Sequence, residues 1–150
     1  MTLRLILVRH GMSTFNKEER IQGRNDSSTL TEEGKSQAKK VGEVLSSIPI
    51  QAIYSSPLQR AAETTKIILK TLSTSLTPVY TNNLLEVDLG PWSGLTKDEV
   101  KIKFPDSVIT WEKDPKELII TREDGTSYKP IEELSNQANN FLNELYKNHS

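Results

Sequence analysis

The sequence contains no cysteine, which excludes a disulfide scaffold, a zinc site with thiolate ligands and a cysteine nucleophile. Long apolar runs are also missing, because the longest, Leu5–Val8, is far shorter than the roughly 20 residues that a membrane-spanning helix needs. Arg4 interrupts the one stretch that resembles the apolar part of a signal peptide. These absences predict a cytoplasmic protein that does not enter the membrane.

Neither sign of charge is in excess, since 19 basic residues stand against 20 acidic ones and the formal net charge is −1. Nucleic acids and anionic membranes usually select a strongly basic protein, so we expect neither partner. The length predicts a single domain over residues 1–150. With 35% hydrophobic residues and seven glycines, the apolar fraction lies somewhat below the roughly 45–50% of typical domains, which indicates a thin core or missing core elements.

Strand-like and helix-like segments alternate along the chain, which is typical of an α/β fold with helices packed on a mostly parallel sheet. The first predicted strand, Leu3–Arg9, contains four consecutive aliphatic residues, as expected for a strand that is buried on both faces. Shorter strands are predicted at Ala52–Tyr54 and Pro78–Thr81. The carboxyl ends of such parallel strands form the edge at which open α/β sheets bind ligands.

Helices are predicted from apolar periodicity and from capping residues at their first turns. Thr31 caps the first long helix, and Ser56 opens a capping box that starts the second one with Pro57 at its first position. Thr96 opens another capping box, and the last helix follows Pro130. The predicted elements therefore agree with one α/β domain.

Arg9-His10-Gly11 stands directly at the end of the first predicted strand. A neutral imidazole there can act as a base, a metal ligand or a nucleophile, and the adjoining guanidinium is suited to a phosphate group. Arg60, in the helix after the second strand, would bring a second arginine to the same edge. His10 alone is also compatible with an ordinary loop histidine and Arg60 alone with a surface cation. Their combination indicates a phosphoryl site.

Glu86 lies between apolar neighbours in Leu84–Gly90. Partial desolvation of such a carboxyl would raise its pKa and suit it to general acid catalysis. Asp88, two residues later, competes for the same role, and both acids are also compatible with local hydrogen bonds in a loop. The sequence therefore predicts a proton donor in this loop, with Glu86 as the first candidate.

Five motifs, taken in order and at their spacing, resemble the histidine phosphatase superfamily of phosphoglycerate-mutase-like proteins. The motifs are Leu7–Asn16, Gln22-Gly23, Leu30–Gly34, Ser55–Ala61 and Leu85–Leu95. Together they span nearly the whole chain, and five short matches in the right order are far more specific than any one of them. The resemblance implies a three-layer α/β/α fold with a mostly parallel sheet.

The resemblance also implies a role for the residues of each motif. His10 would be the nucleophile that becomes a phosphohistidine, Arg9 and Arg60 would bind the phosphoryl oxygens, and Glu86 would protonate the leaving alcohol. Asn16 would also contact the phosphate, and the substrate entrance would be lined by Gln22 and Gly23. No metal and no cofactor is expected, because arginines and histidines supply the positive charge that magnesium supplies in other phosphoryl-transfer enzymes.

The sequence departs from the family at a second histidine. The family carries it on a strand after the last helix, directly before a glycine, whereas the other histidine here is His149, which has neither feature. We expect His149 to be an exposed tail residue. We also expect a fold that is incomplete at the C-terminus, because it lacks the strand and helix segment with the second histidine. Such a chain should be weakly active or inactive and should expose an apolar sheet edge and helix face.

Three functions remain open: a phosphomonoester hydrolase acting on a small phosphorylated metabolite, a phosphoglycerate mutase, and an inactive fragment or relative that binds phosphate. Neither the substrate nor the oligomeric state follows from the sequence. Val87–Trp92 is similar to the phosphatase branch, and within that branch the chain resembles cyanobacterial and chloroplast proteins of the 2-carboxyarabinitol-1-phosphatase type. Trp92 and Trp111 could stack on a substrate, but burial in the core is the interpretation that we favour. The hydrolase is therefore the preferred function.

Overall fold

The computed structural model describes residues 3–149 of the chain, which contain six α-helices and four short strands. The helices are α1 (Thr14–Lys17), α2 (Glu32–Leu45), α3 (Gln59–Leu72), α4 (Lys97–Lys103), α5 (Pro105–Lys113) and α6 (Pro130–His149). The strands are β1 (Tyr54–Ser55), β2 (Val79–Tyr80), β3 (Ile120–Thr121) and β4 (Ser127–Tyr128). Three short 3₁₀ helices lie at Asn82–Leu84, Gly90–Trp92 and Pro115–Glu117. The chain is therefore an α/β protein, as predicted, with much more helix than strand.

The described residues form two compact units. The N-terminal unit contains residues 5–17 and 26–85, and the C-terminal unit contains residues 3–4, 18–25 and 86–149. Each unit holds one pair of strands: β1 and β2 are parallel, and β3 and β4 are antiparallel. The predicted strands after the first one are thus found at β1 and β2, although each is only two residues long.

Helices α2 and α3 build the N-terminal unit by packing against each other. Their surfaces meet closely at Gly42, where a Cβ atom would lie 2.6 Å from Cβ of Thr71. Ala38 and Leu45 of α2 and Ile68 of α3 are buried. The apolar side chains of α2 are only partly covered, because Val44, on the same helix, is 72% exposed.

The cap of α2 is the predicted one, and the cap of α3 is not. Thr31 precedes α2, and its Oγ1 accepts a hydrogen bond from the amide of Gly34. The predicted capping box at Ser56 is wrong, because α3 begins only at Gln59 and Pro57 lies before the helix. The amide of Gln59 donates instead to Oδ1 of Asp26 at 2.6 Å. A carboxylate from a distant loop thus takes the place of the local cap.

The predicted strand Leu3–Arg9 is wrong, since the structure assigns neither strand nor helix to residues 3–10. A strand exists only through hydrogen bonds to a neighbouring strand, and within residues 3–149 no segment pairs with this one. Its four aliphatic residues, Leu5–Val8, are exposed, and Leu7 is 91% exposed. The segment thus exposes apolar side chains, but it does not form the expected sheet edge, because it is not a strand.

The C-terminal unit has a well-packed aromatic and aliphatic core. Its buried members are Leu89, Trp92, Val100, Leu118, Ile120 and Tyr128. Trp92 is only 3% exposed, and its ring meets Trp111 edge-on at a centroid distance of 6.1 Å and Phe104 at 6.4 Å. The interpretation of both tryptophans as core residues is confirmed.

The hairpin β3–β4 was not predicted from the sequence. Gly125 has φ +85°, and the amide of Arg122 donates to the carbonyl of Thr126 at 2.7 Å across the turn. Asp124-Gly125 is a common turn pair, but the strands beside it are too short to show alternation. The hairpin brings Tyr128 into the core of the C-terminal unit.

Helix α4 begins with the predicted capping box. Oγ1 of Thr96 accepts from the amide of Glu99, and Oε2 of Glu99 accepts from the amide of Thr96 at 2.7 Å. The hydrogen bond that the Glu99 carboxylate accepts from the amide of Thr96 is the main cause that lowers the pKa of Glu99. Because a lowered carboxyl pKa favours the folded state only where the carboxyl is ionised, this contribution is lost as the pH falls through the lowered pKa.

We predict that Thr96→Ala lowers the free energy of unfolding by about 1 kcal/mol, the usual cost of removing a Thr N-cap. Urea denaturation at neutral pH measures this change. Thr110→Ala is the control, because the Thr110 hydroxyl bonds only back to the carbonyl of Asp106 within α5 and caps no helix. A loss in Thr110→Ala as large as that in Thr96→Ala would contradict the prediction.

Candidate active site

The orientation of the His10 ring is set by its neighbour along the chain. Nδ1 of His10 lies 2.7 Å from the carbonyl oxygen of Gly11. Because a carbonyl oxygen only accepts hydrogen bonds, Nδ1 is the donor and carries the ring proton. In the neutral ring the lone pair is then on Nε2, which is the nitrogen that can attack an electrophile.

The loop that follows His10 is fixed to both long helices of the N-terminal unit. The amide of Gly11 donates to Oγ1 of Thr64 on α3 at 3.1 Å. The amide of Met12 donates to Oε1 of Gln37 on α2 at 2.9 Å, and the amide of Thr31 donates to the carbonyl of Met12 at 2.9 Å. The backbone beside His10 is therefore held at three points.

Two glycines allow this loop to approach α2. A Cβ atom at Gly11 would overlap the carbonyl oxygen of Gly34, and one at Gly34 would overlap that of Met12. Both overlaps are with backbone, which cannot move aside as a flexible side chain can. Gly11 and Gly34 thus allow one close contact between the loop and the first turn of α2.

Arg60 lies in the first turn of α3 and is 1% exposed. Because the residue is buried, the interpretation of Arg60 as a solvated surface cation is wrong. Burial of a guanidinium costs several kcal/mol unless the group is paired and hydrogen-bonded. Oγ1 of Thr64 donates to the carbonyl of Arg60 at 2.7 Å and accepts from the amide of Gly11. One threonine therefore ties the turn that carries Arg60 to the loop that carries His10. Arg9, in contrast, is exposed.

Asn16 belongs to the same unit and is oriented by Ser13. Oδ1 of Asn16 accepts from the amide of Ser13 at 3.2 Å and from its hydroxyl at 2.9 Å. Both bonds use the oxygen, so the amide nitrogen Nδ2 is the group of Asn16 that can donate to a phosphate. Arg9, His10, Asn16 and Arg60 thus belong to one compact unit.

Glu86, Gln22 and Gly23 belong to the C-terminal unit. The side chain of Glu86 is exposed, so the expected partial burial is wrong. Leu85 and Val87, on either side, are half-buried, and the carboxyl between them points outward. Its Oε1 accepts from the amide of Val87 at 3.0 Å.

Gln22 and Gly23 form a tight turn. The amide of Asn25 donates to the carbonyl of Gln22 at 3.0 Å, and Gly23 has φ +48°. A Cβ atom at Gly23 would lie 2.5 Å from Oγ of Ser93. Gly23 is therefore required by the backbone and by packing. The turn directs Arg24 to the loop of Glu86, where its Nε donates to the carbonyl of Glu86 at 3.0 Å.

Asp88, the competing acid, is used within its own loop. Its Oδ1 accepts from the amide of Gly90 at 3.0 Å, and its carbonyl accepts from the hydroxyl of Tyr128 at 3.2 Å. The local hydrogen bond that the sequence allowed for this acid is confirmed. Glu86, whose carboxyl is exposed, is the acid of this loop that is better placed to meet a substrate.

Residues 3–149 show neither a cluster of metal-binding side chains nor a helix that could span a membrane. Among residues 3–149, no three or more His, Cys, Asp or Glu side chains are grouped so that they could hold a metal ion. In the same range, no helix is long and apolar enough to cross a membrane. His149 is half-buried at the end of α6 and is therefore not fully exposed as expected.

Three residues that hold the predicted site residues in their respective units belong to none of the predicted roles: Gln37, Thr64 and Arg24. Thr64 follows Arg60 by one helical turn, so its place on the same face of α3 could have been derived from the spacing. The hydrogen bond between Thr64 and Gly11 joins residues that are 53 positions apart. A contact over this distance cannot be predicted from the neighbouring residues in the sequence. The same holds for Gln37 and for Arg24.

We predict that Thr64→Val lowers the free energy of unfolding by about 1–3 kcal/mol, because the buried amide of Gly11 loses its acceptor. The matched control is Thr71→Val on the same helix, whose hydroxyl donates to the carbonyl of Ile67 and caps no distant amide. Urea denaturation of both variants measures the difference. Equal losses in the two variants would contradict the role of Thr64.

The chain is similar to known phosphatases and phosphoglycerate mutases. A probable 2-carboxy-D-arabinitol-1-phosphatase of Arabidopsis thaliana is 39% identical over 137 residues, which cover 91% of this chain and 27% of that protein. Phosphoserine phosphatase 1 of Hydrogenobacter thermophilus is 35% identical over 147 residues, which cover 98% of this chain and 66% of that protein. Bacterial phosphoglycerate mutases match as well, at 34–43% identity over 59–73% of the chain.

Among solved structures, YhfR of Bacillus stearothermophilus is similar with a TM-score of 0.80 and 30% sequence identity, covering 95% of this chain and 66% of that one. The chain thus spans about a quarter of the length of the plant relative and just under two thirds of the two bacterial proteins. The sequence model described as the histidine phosphatase superfamily (branch 1) matches residues 5–150. The chain therefore belongs to the histidine phosphatase superfamily.

Proposed function

We propose that the chain carries the catalytic residues of a phosphomonoester hydrolase that acts through a phosphohistidine on a small phosphorylated metabolite. The observation that carries the proposal is the link through Thr64, which joins the His10 loop to the turn of α3 with Arg60. One hydroxyl thus joins the backbone of the loop that carries the nucleophile to the backbone of the turn that carries a buried guanidinium. A nucleophile and a guanidinium on two segments joined in this way suit an attack on a bound phosphoryl group.

In the first proposed step, Nε2 of His10 attacks phosphorus and the ester P–O bond breaks. The leaving oxygen takes a proton from the carboxyl of Glu86, which becomes a carboxylate. Arg9, Arg60 and Nδ2 of Asn16 donate to the non-bridging oxygens as their charge redistributes. The products of this step are the free alcohol and a phosphohistidine at His10.

In the second proposed step, water attacks phosphorus and the P–N bond breaks. Glu86 takes a proton from the water, so that it acts as a base where it previously acted as an acid. Inorganic phosphate leaves, and His10 returns with its lone pair on Nε2. Phosphorylation makes the ring cationic, and the hydrogen bond from Nδ1 to the carbonyl of Gly11 stabilises this charge.

The hydrolase is preferred over the mutase for two reasons. Val87–Trp92 is similar to the phosphatase branch, and the phosphatase relatives match more of the chain than the mutases do. The names of those relatives suggest phosphomonoesters that also carry a carboxylate. We therefore propose this class of substrate, with water and not a second alcohol as the acceptor.

We also propose that residues 1–150 belong to one histidine phosphatase domain with a three-layer α/β/α fold and a mostly parallel sheet. In the complete fold, Leu5–Val8 would be an inner strand, paired with a further strand that carries the second histidine. The exposure of these aliphatic residues and the greater length of the relatives support this proposal. Turnover of phosphomonoesters at ordinary enzymatic rates by residues 1–150 alone would contradict it.

The proposed nucleophile is tested by trapping the covalent intermediate with a phosphomonoester that is radiolabelled in its phosphoryl group. We expect acid-labile, base-stable label on the wild-type chain and none on His10→Ala, because the label resides on Nε2 of His10. His149→Ala is the control and should retain the label, since the chain has no third histidine. Label that persists in His10→Ala would refute the assignment.

A further inference from the structure

The backbone of residues 86–90, here named the acid loop, is held by two side chains from outside it. Nε of Arg24 donates to the carbonyl of Glu86 at 3.0 Å, and the hydroxyl of Tyr128 donates to the carbonyl of Asp88 at 3.2 Å. Inside the loop, Oδ1 of Asp88 accepts from the amide of Gly90 at 3.0 Å. The first and the third carbonyl of the acid loop are therefore fixed.

Arg24 is itself held in place at both ends. Its backbone follows Gly23 in the turn that the amide of Asn25 closes onto Gln22. At the other end of the side chain, Nη2 donates to Oε1 of Gln137 on α6 at 3.0 Å. A guanidinium with two directed bonds of this kind has little rotational freedom, so the carbonyl of Glu86 is bound to a rigid group.

Tyr128 is also held rigidly. It is 8% exposed, and the guanidinium carbon of Arg122 lies 3.7 Å from the centre of its ring. Nη2 of Arg122 in turn bonds to both carboxylate oxygens of Glu133, at 3.0 and 3.1 Å. Burial, with Asp88 as the next contributor, raises the pKa of Tyr128 to about 12. The hydroxyl therefore stays protonated and remains a donor at neutral pH.

The carboxyl of Glu86 has no comparable support of its own. The side chain is exposed, and its hydrogen bond in the described structure is the short-range one from the amide of Val87 to Oε1. That bond keeps the carboxyl close to its own backbone. The position of the carboxyl is therefore determined by the backbone of the acid loop.

We infer that Arg24 and Tyr128 are positioning residues for Glu86, which they hold where it can protonate the leaving group. This inference rests on the proposed function, in which Glu86 is the proton donor. Neither residue touches the reacting atoms in this account. Each acts on the backbone, Arg24 at the residue that carries the acid and Tyr128 two residues after it.

The test compares two phosphoryl donors in single-turnover labelling of His10. 2,4-Dinitrophenyl phosphate releases a stable phenolate that needs no proton, whereas glycerol 1-phosphate releases an alkoxide that does. The measured quantity is the ratio of the labelling rate with the alkyl donor to that with the aryl donor. A general acid contributes about 10²–10⁴-fold, so we expect Glu86→Gln to lower this ratio by about 100-fold or more.

Arg24→Gln and Tyr128→Phe should each lower the same ratio by about tenfold, a part of the effect of the acid itself. Arg24→Lys, which keeps a cationic donor, should restore part of the ratio. Arg20→Gln is the matched control, because Nη1 of Arg20 also donates to a backbone carbonyl of the C-terminal unit, that of Gly94 at 2.8 Å. Its ratio should equal that of the wild type.

The labelling results test the positioning role and the proposed function separately. If Glu86→Gln lowers the ratio but Arg24→Gln and Tyr128→Phe leave it at the wild-type value, the positioning role is refuted and the proposed function stands. If the wild-type chain is labelled at His10 by neither donor, the proposed function fails and this inference fails with it. Tyr128→Phe removes a single oxygen atom, so it decides the question if Arg24→Gln does not fold.

Discussion

The hydrogen bond from the amide of Gly11 to the hydroxyl of Thr64 is the contact on which the arrangement of His10 and Arg60 depends. It joins the loop after His10 to helix α3 one turn beyond Arg60. Without it, a buried amide would be unsatisfied and the loop would be held by α2 alone. Two glycines, Gly11 and Gly34, let the same loop approach the first turn of α2.

In each of the two units, side chains hold a segment with candidate catalytic residues through hydrogen bonds to its backbone. The bonded backbone groups belong to Gly11 and Met12 in one unit and to Glu86 and Asp88 in the other. These bonds use backbone amides and carbonyls, so they do not occupy the side-chain donors and acceptors of His10 and Glu86. In the proposed function, backbone support of this kind preorganises the nucleophile in one unit and the proton donor in the other.

Local features of the fold were predictable from the sequence, and features that depend on distant residues were not. Thr31 was identified as a cap because its acceptor role involves only the next three residues. The cap of α3 could not be predicted locally, because it comes from Asp26, 33 positions away. Leu3–Arg9 forms no strand because a strand needs a neighbouring strand to which it can hydrogen-bond. The motifs indicated His10 and Arg60, but Thr64 and Arg24, which hold the site, carry no motif. Glu86 was expected to be partly buried because its neighbours are apolar, yet those neighbours turn inward and leave it outside.

The nucleophilic role proposed for His10 depends on a loop that holds the ring with its proton on Nδ1 and its lone pair on Nε2. Long-range ¹H–¹⁵N correlation NMR of the ring, at a pH at which it is neutral, measures the tautomer directly. His149, the only other histidine, serves as the internal reference for an imidazole outside the loop. We expect a protonated Nδ1 and an unprotonated Nε2 for His10. A ring protonated at Nε2, or an equal mixture of both tautomers, would refute this assignment.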